Sequence, residues 1–152
     1  NIIPLLGYGI EKTTSFDINT VVISGMGSKN IIEILSSPNL DRIYKLVLQS
    51  NNNHFELRKF LNEKGFTIVE EEIVPDGKKT YINIVALKDY YPKKYSLEEL
   101  EFGPILINKE ENLDYFKKLL ESYEDILYTS RNDDIREKIK MLEGIIERLE
   151  SR

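Results

Sequence analysis

Two apolar runs, Val21–Ser24 and Tyr44–Ser50, end on small or polar residues, and each is followed by a helical pattern. The first run closes on Gly25-Met26-Gly27 and the second leads into Asn51-Asn52-Asn53. Few folds accommodate this alternation. Val21–Ser24 is an uninterrupted β-branched run, which predicts a central parallel strand buried on both faces. Ile31, Ile32, Ile34 and Leu35 then fall at helical spacing over Lys29–Ser36, with Ser28 as N-cap and Pro38 as the stop. Phe55, Leu57, Phe60 and Leu61 mark a second helix, capped at its C-terminal end by Gly65. The runs FTIVEEEIV and TYINIVALK face each other across Pro75-Asp76-Gly77-Lys78, the pattern of an antiparallel hairpin. Ahead of all this, Ile2–Leu6 reads as a short strand weakened by Pro4, and Gly7-Tyr8-Gly9 punctuates the chain. The order is that of a doubly wound α/β sheet ending in an antiparallel hairpin.

The texture changes after a Tyr- and Pro-containing connection, Asp89–Asn108. Leu113, Phe116, Leu120, Tyr123 and Leu127 alternate spacings of three and four, as do Ile135, Ile139, Leu142, Ile146 and Leu149. These seams predict two helices folded into an antiparallel, coiled-coil-like hairpin about a turn at Thr129–Asp133. The same seams would serve a homodimer. The expected organisation is residues 1–88 as the α/β part, 89–108 as connection and 109–152 as helical hairpin.

Twenty-six acidic against 21 basic side chains give a net charge of −5, so nothing draws the whole chain to nucleic acid or to an anionic membrane, and any RNA contact needs a local basic patch. With no cysteine and one histidine, His54, disulfides, thiolate sites and a multi-histidine metal site are excluded within this chain. No apolar run reaches the roughly 20 residues of a membrane span, and no signal peptide is visible, so a cytoplasmic protein with no membrane partner is expected. The chain opens on Asn1 and on NIIPLLGYG, which reads like the inside of a domain. Residues 1–152 are therefore expected to be the later part of a longer protein.

The carboxyl ends of the strands are where open α/β sheets bind ligands. Gly25 and Gly27 permit close approach of a ligand to the backbone, or simply turn the chain. Gln49 and Asn51 close the next strand with amides able to read a base edge, unless Asn51–Asn53 only cap the following helix. His54 reads as a helix-start surface residue. Glu70, Glu71 and Glu72 offer carboxylates, but successive strand residues face opposite sides, so an exposed acidic face is expected. Lys78-Lys79 and Lys93-Lys94 are the tight basic pairs of the α/β part, suited to phosphate or to solvent.

Assembled, these pieces resemble the TrmK family of bacterial tRNA (adenine-N1)-methyltransferases, which act on the adenosine at tRNA position 22. The resemblance rests on VVISGMGSKNIIEIL, on KLVLQSNNNHFELRKFLNEKGFTIVEEEIVPDGKKTYINIV, on FGPILI and on the terminal helical hairpin. It implies a partial Rossmann-like class I methyltransferase sheet, S-adenosylmethionine as methyl donor and tRNA as partner. By position, Gly7 and Gly9 match a Gly-Asp-Gly segment near the adenine of the donor. Gly25, Met26 and Gly27 match the strand end lining the methyl-donor pocket, and Gln49 and Asn51 a Leu-Gln-Pro-Asn segment near the target base, the candidate catalytic pair. Arg58 and Tyr81 match further family positions, taken as substrate-binding. The chain departs from the pattern at Tyr8 (usually Asp), at Ser28 (usually Gly) and at Ser50 (usually Pro). It also lacks the family's opening half, with the first Gly-rich loop and the acidic residue for the donor ribose. These departures keep two alternatives open: a non-catalytic member acting as a scaffold through its helical hairpin, and a nucleotide-binding regulator.

Overall fold

The computed structural model describes residues 2–130 and 132–152. It divides into two compact units, Asn1–Gly103 and Pro104–Arg152.

In the first unit, strands β1 (Thr20–Met26), β2 (Lys45–Ser50), β3 (Phe66–Asp76) and β4 (Lys79–Lys88) form one mixed sheet in the order β1-β2-β4-β3. β1 and β2 are parallel, with Val21 opposite Leu46 and Ile23 opposite Leu48. β4 runs antiparallel to both β2 and β3. Helices α1 (Ser28–Leu35) and α2 (His54–Glu63) follow β1 and β2, as the apolar spacing predicts. Alternation along β2 puts Leu46, Leu48 and Ser50 in the core, where Leu57 and Leu61 of α2 and Ile31 and Leu35 of α1 are also buried. The opposite face carries Val47 and Gln49.

Three expectations change here. β1 is not buried on both faces: it forms the sheet's edge among the described residues, Val21 is its only buried side chain, and Val22 is 67% exposed. Ile2–Leu6 forms no strand and its side chains are exposed, consistent with the missing N–H of Pro4. The long connection after β4 contains a helix, α3 (Leu97–Phe102), closed by a capping box in which Ser96 Oγ accepts the Glu99 N–H and Glu99 Oε2 accepts the Ser96 N–H.

The hairpin is longer than the sequence suggests, with Asp76 paired to Lys79 around the two-residue loop Gly77-Lys78. Its ladder shifts register between Ile68 and Glu70, which face Ala86 and Val85. The extra residue reverses the side-chain alternation. Phe66 and Ile68 point into the core before the shift, and Glu71 points into it after. The acidic run is therefore not uniformly exposed. Glu71 is fully buried, and its Oε1 lies 2.8 Å from Nε of the equally buried Arg58 on α2. Arg58 Nη1 donates to Leu100 O (3.0 Å) and Glu101 O (2.8 Å), tying α3 to α2. Arg58 Nη2 is buried without a hydrogen-bond partner among the described residues.

The second unit holds α4 (Leu113–Thr129) and α5 (Asp133–Glu150). Lys117, near the start of α4, pairs with Glu150 at the end of α5, so the helices are antiparallel. Phe116, Ile139, Leu142, Ile146 and Leu149 of the predicted seams are buried, together with Ile145. The predicted turn falls partly on Arg131, outside the described residues. Asn132 caps α5 through its side chain, which accepts the Asp134 N–H at 3.0 Å. No described helix is long and apolar enough to cross a membrane.

Candidate active site

The carboxyl ends of β1 and β2 meet in a closed ring of hydrogen bonds. Gln49 Oε1 accepts the Gly25 N–H at 2.7 Å, Gln49 Nε2 donates to Asn51 Oδ1 at 3.1 Å, and Asn51 Nδ2 donates back to Gly25 O at 3.0 Å. The Asn51 N–H extends the pairing to Met26 O at 2.9 Å. Two amides thus satisfy both backbone groups of one glycine where the β1–β2 ladder slips, between Ile23 and Met26. Gly25 needs that support. Its φ is +77°, a conformation other residues adopt only with strain, and a Cβ built there meets nothing within 4 Å. The position opens outward and a ligand can approach its backbone. At Gly27 a Cβ would press on Asn52 Oδ1 at 3.3 Å, so that glycine serves packing.

Ser28 is not the N-cap of α1. Gly27 holds that place, Ser28 is the first helical residue and is buried, and its N–H donates to Asn52 Oδ1 at 3.2 Å. The three asparagines likewise do not cap their own helix by side chain. Asn51 belongs to the ring, Asn52 caps the neighbouring α1, and Asn53 precedes α2 in a left-handed conformation, φ 48°, with no side-chain cap. Ser50, where the resemblance leads one to expect proline, is buried and donates its hydroxyl to Asn52 O at 2.7 Å. A proline could not supply that bond, so Ser50 braces the loop by other means.

His54 Nε2 lies 3.1 Å from Ser50 O and so carries its proton there. Burial first, and the nearby Arg58 cation second, hold its pKa below the ordinary 6.5.

Of the remaining sequence candidates, Tyr81 sits at this end of the sheet, one step beyond the Ser50–Ile82 pair. Arg58 must be corrected: as a fully buried cation bound to Glu71 and two carbonyls it is inaccessible to substrate. Gly7 lies beside Lys12 and Gly9 against the far end of α1, away from the ring. A Cβ at Gly9 would fall 2.8 Å from Ile34 Cγ2, in the last turn of α1, about 10 Å along the helix from Gly27 at 1.5 Å per residue. The same segment is held from the next turn, where Asn39 Nδ2 donates to Ile10 O and Glu11 O. The sequence signals missed Asn52 and Ser50, since a polar run at a strand end does not say which helix its side chains reach.

Beside the ring, on the face of the sheet away from the core, lies a groove of ≈ 300 Å³. Val22, Val47 and Val85 floor it, and Gln49, Glu70 and Glu72 border it. Among the described residues no group of His, Cys, Asp and Glu is placed to hold a metal ion.

The TrmK family, described as tRNA (adenine(22)-N(1))-methyltransferase, matches residues 2–151. The chain belongs to the TrmK family. It is 30% identical over 131 residues to a Mycoplasma pneumoniae protein provisionally named a tRNA methyltransferase, covering 84% of this chain and 61% of that one. It is 25% identical over 155 residues to the tRNA (adenine(22)-N(1))-methyltransferase of Bacillus subtilis, covering 94% and 65%. A Streptococcus pneumoniae structure, provisionally a tRNA (m1A22) methyltransferase in complex with S-adenosyl-L-methionine, superposes with a TM-score of 0.73 at 28% identity, over 85% of this chain and 60% of that one. This TrmK chain therefore spans about three fifths of the length of the first relatives it matches.

Proposed function

We propose that this chain supplies the base-facing wall of an S-adenosylmethionine-dependent tRNA methyltransferase that modifies adenine N1 at position 22. The observation that carries the reading is the Gly25–Gln49–Asn51 ring at the carboxyl edge of a Rossmann-type sheet. Family membership and the open space over Gly25 support it, since a bulky donor and a base must approach that backbone.

When bound, S-adenosylmethionine supplies a methyl group made electrophilic by its sulfonium. Adenine N1 carries its own lone pair, so the protein's task is placement more than proton removal. Gln49 and Asn51 hold Gly25 rigid, and each retains one amide N–H with which to orient a base edge. Tyr81, at the same end of the sheet, offers a ring for a base drawn out of its stack. Met26 and Gly27 continue the wall. Gly9, against the far end of α1, and Gly7, beside Lys12, remain candidates for the adenine end of the donor.

The test is methyl incorporation into unmodified tRNA by the protein at its native gene length, with the product mapped by nucleoside mass spectrometry. Expected is 1-methyladenosine at position 22, lost with Gly25→Val. Incorporation at another base, or none, would overturn the proposal.

A further inference from the structure

The segment leaving β4 turns two aromatic rings to solvent: Tyr90 is 95% exposed and Tyr91 92%. Adjacent rings this bare contribute nothing to the fold, yet the backbone beneath them is pinned. The Asp89 N–H donates to Gly65 O at 2.8 Å. Asp89 Oδ1 accepts the Tyr91 N–H at 2.9 Å, and its Oδ2 accepts the Thr67 hydroxyl at 2.7 Å. On the far side, Asn62 Nδ2 donates to Lys93 O at 2.6 Å and Tyr95 Oη accepts the Ile68 N–H at 2.9 Å. The rings are thus displayed on a braced loop, and little backbone entropy remains to be lost on binding. Lys93 is engaged by Glu99 at 2.6 Å, whereas Lys94 is exposed and has no ion-pair partner among the described residues. A third ring, Tyr44, is 56% exposed at the same end of the sheet, where the Lys88 N–H donates to Tyr44 O.

We propose that Tyr90 and Tyr91 are a stacking platform for unpaired bases of the RNA substrate, with Lys94 contacting its phosphates. This rests on the tRNA methyltransferase reading above. Aromatic faces stack on any base and lysine meets the backbone, the combination by which single-stranded nucleic acid is held without sequence readout. A lipid surface fits less well, because the flanking Asp89 and Pro92 bring no aliphatic wedge to insert among acyl chains. The platform also lies at the wrong end of the sheet for the target base. β4 pairs Asn83 with Gln49 near the ring and runs on to Lys88 at the Tyr44 end, five residues or about 17 Å at ~3.3 Å each. It would hold a loop of the RNA distant from the methylated base and so fix its register.

The test is binding of a labelled, unmodified tRNA transcript by fluorescence anisotropy across a salt series, at native gene length. Tyr90→Ala/Tyr91→Ala should weaken binding about tenfold or more, and Tyr90→Phe/Tyr91→Phe should restore most of it. Lys94→Gln should flatten the slope of log K against log salt by about 0.7. S-adenosylmethionine affinity should be the same in all variants. If the wild type binds tRNA and the double alanine variant binds it equally well, the platform is refuted while the methyltransferase reading stands. If the wild type binds no tRNA, both fall. Loss of binding to phosphatidylserine vesicles in the double alanine variant, with tRNA affinity intact, would assign the rings to a lipid surface instead.

Discussion

Replacing Glu71 by Ala removes a carboxylate bound to a guanidinium from which water is excluded. Arg58 and Glu71 both have fully buried side chains, 2.8 Å apart. Arg58 keeps two carbonyl acceptors, Leu100 O and Glu101 O, but Nη2 already lacks a partner, so the variant would leave a buried cation with a second unmet donor. Breaking a buried pair from one side costs about 3–5 kcal/mol. Against a total stability of about 5–15 kcal/mol, that is roughly a fifth of the fold or more. The double variant Arg58→Met/Glu71→Leu removes both charges and fills much of the space. It forfeits the bonds to α3 but strands no ion, and should be less destabilised than Glu71→Ala alone. Urea unfolding followed by circular dichroism gives all the required free energies, and the cycle closed with Arg58→Met gives the coupling. If the effects of Arg58→Met and Glu71→Leu simply add within about 0.5 kcal/mol, the two side chains are not an energetic pair and the reasoning is wrong.

Three further outcomes are expected. Gly103→Ala should destabilise by about 1–3 kcal/mol in the same urea assay, because its φ is +98° and the new Cβ would sit 2.6 Å from Glu71 Oε2; an unchanged midpoint would show that the ion pair yields freely. Gln49→Ala should speed hydrogen exchange of the Gly25 amide by about tenfold or more, since the local opening it resists loses a bond of roughly 1.5 kcal/mol; unaltered exchange by NMR would deny that Gln49 holds this backbone. His54 titrates below 6.5 when folded, so the unfolded chain binds the extra proton first. Its contribution to stability is complete above pH 6.5 and is lost as the pH falls from there through the folded pKa, whereas His54→Gln should lack that part of the pH dependence.

The α/β order, both early helices and the terminal hairpin were legible because each rests on local periodicity or turn chemistry. Leu57 and Leu61 fall where a helix must bury them, and an Asp-Gly dipeptide between two β-rich runs has few other uses. The position of β1 was not legible. A β-branched run records a preference for burial, and only the pairing partners decide whether Val22 receives it. The candidate site divides in the same way. Gln49 and Asn51 were visible as amides at a strand end, but their bonding to Gly25 spans 24 and 26 residues and leaves no local mark. Arg58 shows the reverse error. An arginine on a helix suggests substrate or solvent until a carboxylate 13 residues away is turned inward.

That inward turn depends on one residue that the ladder does not count. A strand is a two-state counter, and the bulge lets the chain pass Val69 without advancing it: Ile68 and Glu70 face neighbouring residues of β4. Deleting Val69 would leave the faces as they are, with Ile68 inward, Glu70 outward and Glu71 inward. Drawing Val69 into the ladder as an ordinary paired residue would instead exchange the faces of every side chain of β3 from residue 70 onward. Glu71 would then move to the groove, and Glu70 and Glu72 would turn toward Arg58, two carboxylates competing for a space that holds one. The slip in the ladder, rather than the identity of the exposed valine, decides which carboxylate meets the guanidinium.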